Sequence, residues 1–358
     1  MIRRVSTLVF LCSLAISSYA QAPKYSNEFL SIGVGARALG MSNSIVAAVD
    51  DATAGFWNPA GLVSMRGDLQ VNLMHNEFFA GIGKYDYASL GIPIDSGRAI
   101  AFSFIRFGVD DIPDTSELID ADGNINYDKI KSFSVADYAF LFSYSKATAI
   151  TGFRYGANAK IIHRKVGKFA NAWGFGLDAG VQYDYNKWKF GAMGRDITST
   201  FNAWNFTLPD ELITTFANTG NEIPENSIES TLPKLILSAA YKTVIAEKFS
   251  ILPVVDVDLT FDGKRNVLIK SDPISADPHI GMEIGYRDFI FLRGGIGNIQ
   301  DVKDFDGTTS KIAQPNMGLG IKIKNVSIDY ALTNLGQENN LLYSNVFSLR
   351  WEVYKKGR

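Results

Sequence analysis

The chain of 358 residues carries a formal net charge of −2, with 46% hydrophobic and 12% aromatic residues. A charge this close to zero implies no nucleic-acid partner and no attraction to an anionic surface. The length suffices for one large closed barrel or for two soluble domains, and a single cysteine, Cys12, excludes a disulfide framework.

The first twenty residues have the pattern of a secretory signal peptide. Arg3 and Arg4 precede an apolar stretch over residues 5–16, and small side chains lead to a predicted cleavage site after Ala20. The stretch is shorter than the roughly 20 apolar residues of a spanning helix, which disfavours the alternative of a membrane anchor. Cleavage would remove Cys12. The sequence therefore predicts an exported chain that is periplasmic, extracellular or an outer-membrane barrel.

The next stretch, residues 29–66, is rich in Gly, Ala and Ser and lacks the periodicity of a strand. It contains Asn58, Pro59, Ala60 and Gly61 in succession, where the proline favours a turn because it fixes its own φ and restricts the residue before it. Small side chains of this kind permit tight packing in a narrow space. A soluble capping segment is the alternative interpretation.

Strict alternation of apolar residues with small or polar ones follows, and it is clearest over residues 173–185. Trp173, Phe175 and Leu177 alternate there with glycine and aspartate. Alternation over about a dozen residues predicts a strand with two different faces, and the length matches the about 9–11 residues of a tilted strand that crosses a bilayer. About fourteen such strands are predicted, over residues 68–76, 84–93, 97–107, 132–145, 151–164, 173–185, 188–197, 234–243, 249–261, 279–286, 289–298, 315–324, 326–334 and 343–354.

Charged residues of these strands lie on the face opposite the apolar one. They are Arg154, Lys160, Asp178, Asp184, Asp256, Asp258, Glu283, Lys322, Asp329 and Arg350. Because a charge in lipid at mid-depth costs about 2–4 kcal/mol, this face is predicted to line a polar lumen. Tight turns are expected on the periplasmic side and long connections, over residues 108–131, 196–233, 262–278 and 298–314, on the extracellular side. The prediction is an all-β, antiparallel transmembrane β-barrel.

No catalytic or metal-binding pattern is evident. His75, His163 and His279 lie on three separate predicted strands without a carboxylate pattern nearby. Residues 120–124 differ from a calcium loop, because the glycine comes fourth instead of sixth and the closing glutamate is missing. The glycines of 294–297 are interpreted as strand glycines near the N-terminal segment, since no helix follows to form a phosphate cradle. We therefore predict no enzymatic activity, no cofactor and no metal.

Three motifs of the N-terminal segment, over residues 35–41, 47–52 and 56–62, carry a resemblance to a known family. They resemble the start of PorV/PorQ-type proteins, which belong to the wider FadL-like group of outer-membrane barrels. The Asn-Pro-Ala element is shared across the wider group, whereas the preceding Gly-Ala-Arg…Gly-Met stretch is more specific. The resemblance implies a fourteen-stranded barrel with an N-terminal hatch in the lumen. It divides the chain into a signal peptide, a hatch and a barrel, at residues 1–20, 21–66 and 67–354.

The resemblance also implies a role in type IX protein secretion. The barrel would bind the C-terminal signal domain of exported cargo at the translocon barrel and deliver it to a surface attachment complex. The other expected partner is outer-membrane lipid. Cargo contacts are expected on the long connections, because many apolar residues in a loop indicate a binding surface. The residues predicted for this contact are Phe201, Trp204, Phe206, Leu208, Leu212 and Phe216.

Two other functions remain open at this point. A FadL-like transporter of hydrophobic small molecules would have an apolar pocket beside the hatch and would release its ligand through a gap in the wall. A soluble surface enzyme is the third hypothesis, and recovery of the protein in the outer-membrane fraction would exclude it.

Overall fold

The computed structural model describes residues 26–78, 81–116, 118, 123–303, 306–335 and 344–355, with only the backbone of Glu211. The predicted signal peptide, with Cys12, lies outside the described residues. Nearly all of the regular structure described is β-strand. The segments are β1 (Leu69–Phe78), β2 (Gly83–Asp95), β3 (Arg98–Asp114), β4 (Lys131–Ala147), β5 (Phe153–Val166), β6 (Ala170–Tyr185), β7 (Trp188–Arg195), β8 (Thr200–Phe206), β9 (Ser227–Thr231), β10 (Lys234–Tyr241), β11 (Thr243–Ile245), β12 (Phe249–Thr260), β13 (Ser275–Tyr286), β14 (Ile290–Lys303), β15 (Thr309–Ile323), β16 (Val326–Thr333) and β17 (Ser344–Val353).

These segments close into one antiparallel barrel. Most of them pair with the next segment in the chain, and β17 pairs with β1, with Leu73 opposite Leu349. β7 and β8 both pair with β6, so they are two parts of one barrel strand. β9 and β10 form the next one, since β8 pairs with β9 and β7 with β10, and β11 extends β10 along β12. The barrel therefore has fourteen strands, as predicted.

The two faces of each strand differ as the sequence predicts. On β6, Trp173 and Phe175 point outward, with 55% and 42% of their surface exposed, whereas Gly174 and Gly176, which alternate with them, are buried. Most of the predicted lumen charges are buried on the inner side, among them Arg154, Lys160, Asp178, Asp256, Glu283 and Asp329. An apolar belt outside and paired charges inside are the features of a barrel that crosses a membrane with each strand. Among the described residues, no helix is long and apolar enough to span a bilayer.

Tight turns lie at one end of the barrel and the longer connections at the other, which assigns the first end to the periplasm. The connections are shorter than predicted, because β3 continues to Asp114 and β14 to Lys303. The expectation of a loop over residues 196–233 is wrong: this stretch forms β8, a helix α3 (Asp210–Thr219) and β9. The reason is that β7 ends at Arg195 while β6 continues, and the peptide groups of residues 170–175 still need partners, which β8 supplies.

The outward assignment of β15 gives a direct test. We expect Leu319→Lys to lower the free energy of unfolding by about 2–4 kcal/mol, because Leu319 lies in the middle of the apolar belt. Ile323→Lys, on the same face but beside the tight turn, should cost only about 0–1 kcal/mol. Denaturant unfolding in lipid vesicles measures both, and equal costs would contradict the assignment of this face to lipid.

Candidate functional site

The N-terminal segment, defined here as residues 26–66, lies against the inner face of the wall. It contains two four-residue helices, α1 (Ala36–Leu39) and α2 (Ala54–Trp57), and 3-10 turns at Glu28–Ser31 and Pro59–Ser64. Most of its side chains are buried. Its backbone and side chains hydrogen-bond to inward-facing residues of strands all around the barrel, including β1, β5, β12 and β17. The small side chains foreseen in the sequence permit this close fit.

Asn58 fixes the position of the Asn-Pro-Ala-Gly element. Its side-chain oxygen accepts a hydrogen bond from Ala60 N at 3.2 Å, and its amide nitrogen donates to Val46 O at 3.2 Å and to Val181 O of β6 at 3.0 Å. Pro59 opens the 3-10 turn, where a missing N–H costs nothing. These contacts attach the element to the wall. That the N-terminal segment acts as a hatch remains a prediction.

Buried charges attach the segment to the wall on the side of β13 to β17. Arg37 pairs with Asp50 at 2.8 Å and with Glu283 at 2.9 Å. Glu283 also accepts from Arg293, which reaches Asp329 at 2.6 Å. Farther along, Arg350 of β17 binds Asp51 at 3.0 Å. Buried charges need partners of this kind, because an isolated one would neutralise rather than remain in the interior.

Strand glycines make room where the segment approaches most closely. A Cβ on Gly156 would lie 2.6 Å from Pro59 C, and one on Gly191 would lie 2.8 Å from Ala47 Cα. On β14, a Cβ on Gly295 would overlap the backbone of Met41. The expectation that glycines of 294–297 mark the approach of the N-terminal segment is confirmed at Gly295, whereas the close approaches at Gly156 and Gly191 were not predicted.

Neighbouring glycines on β14 provide a matched test of this fit. We expect Gly295→Ala to displace the backbone around Met41 and to cost about 1–3 kcal/mol of unfolding free energy, as overpacking does. The Cβ of Gly294→Ala would point to the other face, 4.0 Å from Asn316 O, and this variant should change stability by less than about 0.5 kcal/mol. Denaturant unfolding compares the two, and hydrogen exchange of residues 40–44 should rise only in Gly295→Ala.

A second test addresses the buried ion pairs. We expect Glu283→Gln to destabilise the protein by about 3–5 kcal/mol, because it leaves the charges of Arg37 and Arg293 partly uncompensated in the interior. Hydrogen exchange of residues 36–51 should rise with it. Arg66→Gln is the control, since its pair with Asp288 is largely exposed and should contribute little. Equal protection in both variants would show that the network does not hold the segment.

A cavity of about 690 Å³ lies between the N-terminal segment and the end of the barrel that carries the long connections. One part of its lining is apolar, with Ile32, Trp57 and Phe78. Polar residues outnumber the apolar ones in the rest of the lining, although polar and apolar atoms contribute nearly equal shares of its surface, so the cavity is not the purely apolar pocket expected for a transporter of hydrophobic molecules. The physical reason is that the strands place their polar faces inward at this level, so only the N-terminal segment and a few strand ends contribute apolar surface.

Charged residues of the cavity form a chain of contacts. His279 of β13 lies 3.1 Å from Ser44 Oγ through Nδ1 and 3.2 Å from Asp258 Oδ1 through Nε2. Lys234 donates to Asp258 at 2.8 Å. Of the three histidines, only this one belongs to the cavity. His279 was not assigned to a binding site from the sequence, although its predicted place on a strand beside a long connection could have indicated one.

The wall is interrupted at one level in two neighbouring strands. Residues 196–199 leave the ladder between β7 and β8, and residues 232–233 separate β9 from β10. The peptide groups of β6 at this level bond instead to residues of the first interruption. Ile197 N donates to Leu177 O at 2.9 Å, and Leu177 N donates to Thr198 Oγ1 at 3.2 Å. The wall is thus closed here by irregular backbone and side chains.

A buried ion cluster lines the inner side of this interruption. Lys160 Nζ lies 2.7 Å from Asp178 and 2.5 Å from Asp196, and Asp196 N donates to Asp178 at 2.8 Å. A small cavity of about 60 Å³ beside the cluster is lined by Leu232 and Pro233 of the neighbouring break. These contacts hold the irregular part of the wall in one arrangement.

The six residues predicted to contact cargo do not form one surface. Phe201 points outward from β8. Trp204 and Phe206 stack with ring centroids 6.0 Å apart, and Trp204 Nε1 donates to Glu229 of β9. Leu208 lies in the connection after β8, and Leu212 and Phe216 lie one turn apart on α3. The structure therefore brings together Trp204 with Phe206 and Leu212 with Phe216, whereas Phe201 and Leu208 belong to neither pair, and the role of all six as contacts stays a prediction.

No protein-family model matches the chain, and no curated protein matches its sequence. Solved structures do match. The P. putida toluene transporter TodX aligns with a TM-score of 0.58 and 13% identity over 90% of this chain and 99% of its own. The CymD monoaromatic hydrocarbon channel gives 0.56 and 11% over 91% and 99%, and a Pseudomonas aeruginosa FadL homologue gives 0.50 and 13% over 88% and 97%.

At this level of identity the likeness concerns the fold. It extends over nearly the whole length of each match, and it gives no support to the finer resemblance to PorV/PorQ-type proteins. The chain folds as a multi-pass β-barrel of the outer-membrane type, with the FadL-like architecture.

Proposed function

We propose that this protein is a non-enzymatic outer-membrane transporter that admits small molecules through the lumen cavity. The observation that carries the proposal is the position of the cavity: it lies inside a closed barrel, next to the long connections, and the N-terminal segment forms its floor. Its volume of about 690 Å³ falls within the range of about 300–1,000 Å³ for small-molecule sites. The fold neighbours include proteins named as a toluene transporter and a monoaromatic hydrocarbon channel.

The N-terminal segment acts as the hatch in this proposal. It fills the lumen between the cavity and the tight turns, as its contacts with Gly156 and Gly191 near those turns indicate. A molecule in the cavity therefore has two ways forward. Either the segment shifts, or the molecule leaves sideways where the wall is interrupted at residues 196–199 and 232–233. The second route follows irregular backbone, which is easier to rearrange than a paired ladder.

Uptake into liposomes tests the proposal. We expect the reconstituted protein to accelerate entry of at least one member of a panel that runs from toluene through decanoate to maltotriose. The variant Ser42→Cys/Asn316→Cys joins the segment to β15, because these side chains already hydrogen-bond at 3.0 Å. Oxidation of this pair should slow the entry at least tenfold if the segment must move, and reduction should restore it.

Protein-free liposomes and the reduced variant are the controls. Entry at the same rate with the wild-type protein and without it would overturn the transport function. If oxidation does not change the rate of entry, the molecule must instead pass through the wall interruption.

The secretion role is a second candidate, and the β8–α3–β9 hairpin favours it. Ile228 of β9 is 75% exposed and Phe201 of β8 is 43% exposed, so the hairpin offers apolar surface to a partner. Replacing Leu212 and Phe216 of α3 with serine should then abolish capture of a cargo C-terminal domain from an outer-membrane extract, with the barrel still inserted. Undiminished capture would count against these residues.

A further inference from the structure

The polar side chains of the cavity indicate what kind of ligand it binds. The inference drawn from them rests on the transport function proposed above. Asn and Gln side chains recur around it on β1, β14 and β15 and on the N-terminal segment, including Asn43, Asn76, Gln300, Gln314 and Asn316. A carboxamide offers both a donor and an acceptor without charge. Such a lining suits a molecule whose groups also donate and accept.

Asn76 is the decisive residue of this lining. It is fully buried on the inner face of β1, and within the described residues neither its side-chain nitrogen nor its oxygen has a hydrogen-bond partner. Leaving a buried polar group without a partner costs about 1–3 kcal/mol. The residue lines the cavity. Both atoms are covered in the structure, so a rotation of the side chain toward the cavity is the step that lets a bound molecule supply both contacts.

Two further acceptors face the same cavity. In the part of the chain that the structure describes, Asn43 Oδ1 and Asp277 Oδ1 also have no hydrogen-bond partner. Together with Asn76 they offer three acceptor oxygens and one amide donor from three different elements: the N-terminal segment, β1 and β13. A ligand that satisfies them must present several hydrogen-bonding groups in different directions.

Several charges of the lining pair with oppositely charged side chains. Lys234 and His279 both contact Asp258, and Arg265 pairs with Asp262 at 2.5 Å. Over the whole lining, three acidic side chains balance three basic ones, so a strongly charged ligand would meet no excess of opposite charge; the acidic residues are Glu28, Asp258 and Asp277, and the basic ones are Arg195, Lys234 and Arg265. An uncharged molecule rich in hydroxyl groups fits better, and the apolar side chains of Trp57 and Phe78 can pack against its C–H faces.

We propose that the cavity binds a short, uncharged oligosaccharide, in contrast to the hydrocarbons named for the fold neighbours. Hydroxyl groups donate to the free oxygens of Asn43 and Asp277, and one hydroxyl exchanges a donor and an acceptor with the amide of Asn76. The volume of about 690 Å³ accommodates two or three sugar rings.

Calorimetric titration of the full chain in lipid nanodiscs tests this assignment. The probes are maltotriose, cellotriose and N,N′-diacetylchitobiose, with decanoate and toluene as apolar comparators. We expect at least one saccharide to bind and neither comparator to compete with it. Asn76→Leu, which keeps the branching and the number of heavy atoms of the side chain and removes both polar atoms, should weaken the binding at least tenfold.

Asn72→Leu is the matched control, since Asn72 lies on the same face of β1 but not on the cavity. It should change the affinity less than twofold. If Asn76→Leu does not fold, Asp277→Leu replaces it, because this variant removes the acceptor oxygens of Asp277 and should weaken the saccharide affinity at least threefold.

The outcomes separate the ligand class from the transport function. Binding or liposome entry of decanoate or toluene without any saccharide would overturn the oligosaccharide assignment and leave transport intact. Equal saccharide affinity in the wild type and in both cavity variants would also overturn the assignment. If neither saccharides nor apolar probes enter liposomes, the transport function itself fails.

Discussion

The structure depends on one constraint: a segment with almost no regular structure must have its peptide groups satisfied by the barrel wall. Asp256 of β12 accepts from Ile45 N and Val46 N at 3.0 and 3.1 Å, and Gln70 of β1 accepts from Ala52 N at 2.6 Å. A buried backbone group without a partner would cost as much as a lost hydrogen bond. The polar side chains of the inner face therefore supply the hydrogen-bond partners of the N-terminal segment, and the segment in turn supplies partners for those side chains.

The ion pairs and the strand glycines follow from the same fit. Arg37 can be buried because Glu283 on the wall and Asp50 within the segment both face it. The wall can accept the backbone of Met41 because β14 has glycine at position 295. Overpacking at such a glycine, or loss of one charge of such a pair, would disturb both the barrel wall and the N-terminal segment. The barrel and the segment therefore behave as one packed unit.

The fit is incomplete at the end with the long connections, and this is where a ligand can be held. The segment leaves a cavity there whose polar wall includes Asn76 and Asp277 with unused hydrogen-bonding capacity. Near the same level, the break at residues 196–199 replaces a regular ladder with side-chain contacts around Lys160. A binding space and a part of the wall that can rearrange thus lie close together in the barrel.

The sequence by itself determined the barrel. Alternation such as that of residues 173–185 fixes which side chains face out, because a strand has a period of two and charge cannot face lipid at low cost. Inward charges such as Lys160 and Glu283 were therefore predictable. The sequence did not reveal β8 and β9, because their pairing depends on where β7 ends and which peptide groups of β6 remain open.

Only the tertiary structure decided the cavity and its chemistry. Asn43, Asn76 and Asp277 are far apart in sequence, and closure of the barrel around the N-terminal segment brings them to one space. Whether a side chain has a hydrogen-bond partner also depends on the tertiary structure. Asn316 bonds to Ser42, whereas Asn76 has no partner among the described residues, and the sequence around the two asparagines does not predict this difference. Periodicity along the chain sets the direction of a side chain, but contacts across the lumen set what that side chain meets.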